Sequence, residues 1–158
     1  MKPRDASREG GYRRADAETV RRWEAWANEA RTQLAAAGLP IQAEHMDAAV
    51  GAGVVVTVDP GDDGAGGVYV GWDVAPVLRV AGMRAAWRGQ AQDPALQHGG
   101  AVEDVMTRAI RDILTAGGFT VGDSPNDFAQ EKVYVLRPPL APLLERLGLD
   151  ALHAAGAR

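Results

Sequence analysis

The sequence predicts an α+β fold: an antiparallel sheet of four to five strands, two main helices packed on one face, and a short C-terminal helix. Three observations carry that reading. Two stretches, starting near Asp16 and Ala101, repeat apolar residues at helical spacing. Two pairs of β-branched or aromatic runs are each joined by turn-forming residues. Strand pairs and helices follow one another along the chain, so hairpins rather than parallel crossovers are expected to build the sheet.

The first helix is expected to start at Asp16, whose carboxylate can accept hydrogen bonds from the free N–H groups of the first turn. Val20, Trp23, Ala27, Ala30 and Leu34 then fall on one side of it. Gly38 followed by Leu39-Pro40 is the stop, since glycine accepts the left-handed position and proline cannot continue the helix. Ile41 to His45 is expected to form a first strand. "VVVTVD", Val54 to Asp59, is a second, and "GVYVGW", Gly67 to Trp72, its hairpin partner. The connection "PGDDGAGG" consists of residues that turn a chain.

After Asp73 the pattern weakens, and an irregular helix is expected around Pro76 to Trp87, with "QDPALQHGG" as a loop behind it. The second main helix is read from Ala101 to Ala116. Val102, Val105, Met106, Ala109, Ile110, Ile113 and Leu114 supply its apolar stripe, and Gly117-Gly118-Phe119 its stop. Phe119 to Val121 and Lys132 to Arg137 form the second strand pair, joined by "GDSPNDFAQE". Leu140, Leu143, Leu144 and Leu147, at i, i+3, i+4 and i+7, make the short last helix. The division expected is a flexible basic tail over 1–15, one α+β domain over 16–148 and an extension over 149–158.

The composition removes several chemistries. Zero cysteines exclude disulfides, thiolate catalysis and cysteine-bound zinc, and a cytoplasmic home is expected. The first residues lack the apolar core of a secretory leader, and no run is long and apolar enough to span a bilayer, so no membrane partner is expected. The net charge of −4 divides into +3 on residues 1–15 and −7 on the rest. Nucleic acid is therefore expected to associate at most weakly, through Arg4, Arg8, Arg13 and Arg14. The second main helix sets Arg108 and Arg111 against Glu103, Asp104 and Asp112 and offers no basic face.

No catalytic residue, cofactor or metal site is expected. The acidic hairpin loop fails as a calcium loop, because Gly61 and Val70 stand where a ligand and the bidentate glutamate belong. It fails as a dinucleotide loop too, since a strand rather than a helix follows. None of the three histidines lies three or four residues from another, as a helical metal pair would require. If a small-ligand or hydrolase-type pocket exists, Asp73, His98, Asp123 and Asp127 are its expected polar groups, with His98 tuned by Glu103 or Asp104.

Strand parity points elsewhere. With Val68, Val70, Val133 and Val135 facing the helices, Val55, Tyr69, Tyr134 and Leu136 make a second apolar face, unlike the polar outer side usual for an antiparallel sheet. Together with Leu140, Leu143, Leu144 and Leu147 they are the expected interaction surface. The expected function is a non-enzymatic interaction or assembly module (adaptor, immunity-type inhibitor or self-associating accessory protein).

Overall fold

The computed structural model describes residues 13–43 and 51–149. Its elements follow the order α1 (Ala17–Ala36), β1 (Gly53–Asp59), β2 (Gly67–Asp73), α2 (Pro76–Trp87), α3 (Pro94–Ala116), β3 (Thr120–Asp123), β4 (Val133–Arg137) and α4 (Leu143–Arg146). The strands form one antiparallel sheet in the order β1-β2-β4-β3. The fold is α+β, as the hydrophobic pattern predicts.

Alternation fixes which way the sheet faces. Val54 and Val56 of β1, Val68 and Val70 of β2, and Val133 and Val135 of β4 are buried together under α1 and α3. α1 contributes Ala27, Ala30 and Leu34, and α3 contributes Ile110 and Leu114. Two alanines one turn apart let the α1 backbone lie close to the strands. Each fully buried valine or leucine is worth about 1.5–3 kcal/mol relative to exposure, so this one face holds most of the apolar stabilisation.

The expected helix signals operate. Asp16 Oδ1 accepts from the N–H groups of Glu18 and Thr19, both at 2.9 Å. These bonds hold the Asp16 carboxyl below its usual range. α3 ends with Phe119 N–H donating to Leu114 C=O at 2.9 Å and Gly118 N–H to Thr115 C=O at 3.0 Å. That is the Schellman pattern, and it requires the left-handed backbone that Gly118 adopts at φ 90°.

Several boundaries differ from the sequence reading. "QDPALQHGG" is not a loop: Asp93 accepts from Ala95 N–H at 2.8 Å, Pro94 takes the first helical position, and α3 begins there. Asp-Pro is a helix start as well as a turn signal, because proline's fixed φ suits the first turn and its missing N–H costs nothing there. The helix expected around Pro76 to Trp87 is present with those bounds as α2. Val105 is exposed rather than part of the apolar stripe of α3. The C-terminal helix has four residues, starting only after Pro142.

The expected first strand reduces to a single parallel bridge, Ile41 to Val54, and His45 lies outside the described residues. Of the basic tail, Arg13 to Ala15 pair with the hairpin loop: Asp62 N–H donates to Arg13 C=O at 2.7 Å, and Ala15 N–H to Pro60 C=O at 2.8 Å. Residues 1–12 and 150–158 lie outside the described residues.

Ile110 is fully buried in the core that α1, α3 and the sheet share, whereas Val105 on the same helix is exposed. Ile110→Ala is expected to destabilise the fold by about 2–5 kcal/mol in urea unfolding, and Val105→Ala by about 0.5 kcal/mol or less. Equal losses at the two positions would contradict the assigned core.

Candidate functional site

The acidic hairpin loop is used up in making its own turn. Asp59 Oδ1 accepts from Gly61 N–H and Asp63 Oδ1 from Ala65 N–H, both at 2.9 Å. Asp62 meets Arg13 at 3.6 Å in an exposed ion pair, a type worth little.

The tyrosines of the outer sheet face close the same loop. Tyr69 and Tyr134 are register partners with ring centroids 5.1 Å apart and planes inclined at 51°. Tyr134 Oη donates to Gly66 C=O at 2.7 Å, and Tyr69 Oη donates to Ala65 C=O. Gly67, at φ 144°, lies beneath the Tyr134 ring; a Cβ there would stand 2.6 Å from Tyr134 Oη. Burial pushes the Tyr69 phenol up to about 12, with Tyr134, Asp59 and Asp63 adding to the shift, and raises Tyr134 as well. The pair clamps the hairpin. Tyr69 is only 3% exposed, so it offers almost no surface of its own.

The remaining residues selected from the sequence divide between two layers. Val55 and Tyr134 are half-buried and Leu136 exposed on the outer sheet face. α4 instead joins the helix layer, where Leu143 N–H donates to Glu29 Oε1 of α1 at 2.8 Å. Leu143 and Leu144 are half-buried there, while Leu140 and Leu147 are exposed. A buried amide supports this junction. Gln33 Nε2 donates to Glu29 Oε1 at 2.8 Å and to Gly117 C=O at 3.2 Å, and Arg146 reaches the same carbonyl at 3.0 Å.

The four polar residues selected for a pocket do not converge. Asp123 pairs with Arg111 at 2.8 Å, and Asp127 lies exposed in the β3–β4 connection. His98 is exposed on α3. Asp73 lines a cleft of about 60 Å³ at the end of β2, shared with Glu103, Glu131 and Lys132. Such a space holds roughly two water molecules, too little for a substrate. Among the described residues no group of three histidine, aspartate or glutamate side chains is placed to hold a metal ion.

Beside this cleft runs a larger groove of about 250 Å³ between α2 and α3. Leu78, Gly82, Met83 and Ala86 form one wall, and Ala95, Leu96, Gly99 and Gly100 the other. Its polar end carries Arg79, which donates to Val74 C=O at 3.0 Å and lies 3.6 Å from Asp73. Gln42 Nε2 donates to the same Asp73 oxygen, Oδ2, at 3.2 Å. A second guanidinium nitrogen of Arg79 is buried without an acceptor. Glu103 lines both spaces, and its carboxyl is raised by burial, then by Glu131, Asp104 and Asp73. The arrangement can seat an apolar group beside fixed charges. It brings no hydroxyl nucleophile next to a base.

Sequence reasoning missed the outer side of α2. Val77 is 73% and Trp87 81% exposed, with Val80 and Met83 close to half exposed on the same side. Arg84 and Arg88 stand among them, also exposed. A sequence signal was present: residues 74–92 contain three arginines and no acid, and Val77, Val80 and Trp87 recur at helical spacing on one side of the helix.

No protein-family model matches the chain, and no curated protein or solved structure matches it significantly. Among the described residues no helix is long and apolar enough to cross a membrane.

Two titrations test these assignments. The Tyr69 contribution is complete below pH 10; the unfolded chain then loses this proton first, so stability falls between pH 10 and about 12. Tyr69→Phe should flatten that limb in denaturant unfolding at successive pH values; an unchanged limb would place the phenol in water. Glu103 behaves in the same sense at acid pH. Its contribution is full below the ordinary 4.5 and lost as pH rises through the raised folded value. Glu103→Gln should therefore melt above the parent at neutral pH and coincide with it below about pH 4. A lower melting temperature at neutral pH would contradict the assignment.

Proposed function

We propose that this chain is a non-enzymatic protein-interaction or assembly module and that the outer face of α2 is its principal contact surface. The single observation that carries the reading is Trp87, 81% exposed on a helix that also turns Val77, Val80 and Met83 to solvent. Isolated exposed apolar residues are ordinary; four on one face of a twelve-residue helix form a patch of the kind that marks interaction sites. Tryptophan, methionine and arginine are also residues that interface centres enrich.

The scatter of Asp73, His98, Asp123 and Asp127 favours this reading over an enzyme or a small-ligand binder. Val55 and Leu136 on the outer sheet face, with Leu140 and Leu147 near α4, are secondary surfaces. The absence of cysteine from the sequence agrees with a reducing, cytoplasmic setting.

The test compares the parent with Val77→Ser/Trp87→Ser, both exposed changes that should leave the circular dichroism intact. The parent is expected to sediment as a larger species with rising concentration, or to purify with a stoichiometric partner, and the double variant to lose that behaviour. A parent that is strictly monomeric and partner-free in lysate of its native source would overturn the proposal.

A further inference from the structure

We infer that the α2 face binds an acidic, amphipathic segment of a partner protein, with its apolar side chains on Val77, Val80 and Trp87 and its carboxylates on Arg84 and Arg88. The inference rests on the interaction reading above and adds the chemistry of the occupant.

Charge supplies the first argument. No Asp or Glu occurs between Val74 and Gln92, so nothing along α2 neutralises its arginines locally. Arg79 is turned inward to Asp73, but Arg84 and Arg88 form no ion pair among the described residues. At 100° per residue, Val77, Val80, Met83, Arg84, Trp87 and Arg88 fall within about 140° of the helix circumference, so greasy and cationic groups interleave on one face. A complementary occupant presents apolar groups flanked by carboxylates.

Shape supplies the second. Met83 belongs to the exposed face and also lines the 250 Å³ groove against α3. The face is therefore continuous with a concavity able to take an apolar side chain of the occupant, which is how an amphipathic helix is usually received. A second copy of this chain is disfavoured, because two-fold α2-to-α2 packing would set arginines against arginines with no acid between them. An anionic bilayer is disfavoured by the net charge of −4 and by a groove that a flat surface leaves unused.

Panning a displayed library of random peptides of about 16 residues on the full chain tests this without knowledge of the partner. Recovered peptides are expected to carry an excess of Asp and Glu with apolar residues at i, i+3 or i+4, and i+7. Arg84→Glu/Arg88→Glu should weaken them at least about tenfold, and exchanging their acids for lysine should restore binding to that variant. Neutral or basic peptides that Val77→Ser/Trp87→Ser abolishes would overturn the acidic partner and leave the interaction surface standing. Peptides indifferent to both variants, or no enrichment at all, would overturn both. Sedimentation with phosphatidylglycerol vesicles that Arg84→Glu/Arg88→Glu removes would reassign the face to lipid. Concentration-dependent dimerisation that Val77→Ser/Trp87→Ser removes would reassign it to a second copy.

Discussion

The packing of α3 against one valine face is the constraint on which the rest of the molecule depends. Four strands spaced about 4.8 Å apart present a surface roughly two helix diameters wide. α1 and α3 fill it. α3 is 23 residues, about 35 Å, whereas the longest strands are seven residues, about 23 Å. Its C-terminal half carries Ile110 and Leu114 into the core. α2 packs along its N-terminal half, near Leu96, Gly99 and Gly100. A helix placed there has one packed side, and the other must face solvent.

Local chemistry then decides what each surplus surface can do. On the outer sheet face, alternation brings Tyr69 and Tyr134 together, but their hydroxyls turn back to the carbonyls of the hairpin loop. Gly67 admits the Tyr134 ring where any side chain would collide with it. Aromatic residues that look like an interface in one dimension thus serve as an internal clamp. α2 receives no such closure, and its tryptophan stays in water.

Much of the fold was legible because its signals are local. The Asp16 cap, the Gly118 stop and the two-residue alternation of β1, β2 and β4 are each dictated by neighbours a few residues away. The start of α3 was misread because Asp-Pro serves both turns and helix N-termini; the packing of Leu96 beside Gly82 of α2 adds to the Asp93 cap in favour of the helix. The polar residues picked for a pocket were legible as residues but not as a site. Asp123 faces Arg111, a partner twelve positions away that turn chemistry does not reveal. Val105 matches the apolar spacing of α3 yet lies just outside the arc that the sheet covers.

By itself the sequence determined the α+β class, the valine face of the sheet, the Asp16 cap, the glycine stop of α3 and the exclusion of cysteine chemistry. All of these follow from periodicity, backbone preference or composition, which act over a turn or a strand. Only the tertiary structure decided that α2 packs on α3, that the tyrosines close a loop, and that Asp73 and Glu103 line one cleft while His98 lies exposed on α3. The place of α2 depends on its packing against α3, and the tyrosine closure on the pairing of β2 with β4; each is a relation between distant segments and is carried by neither alone.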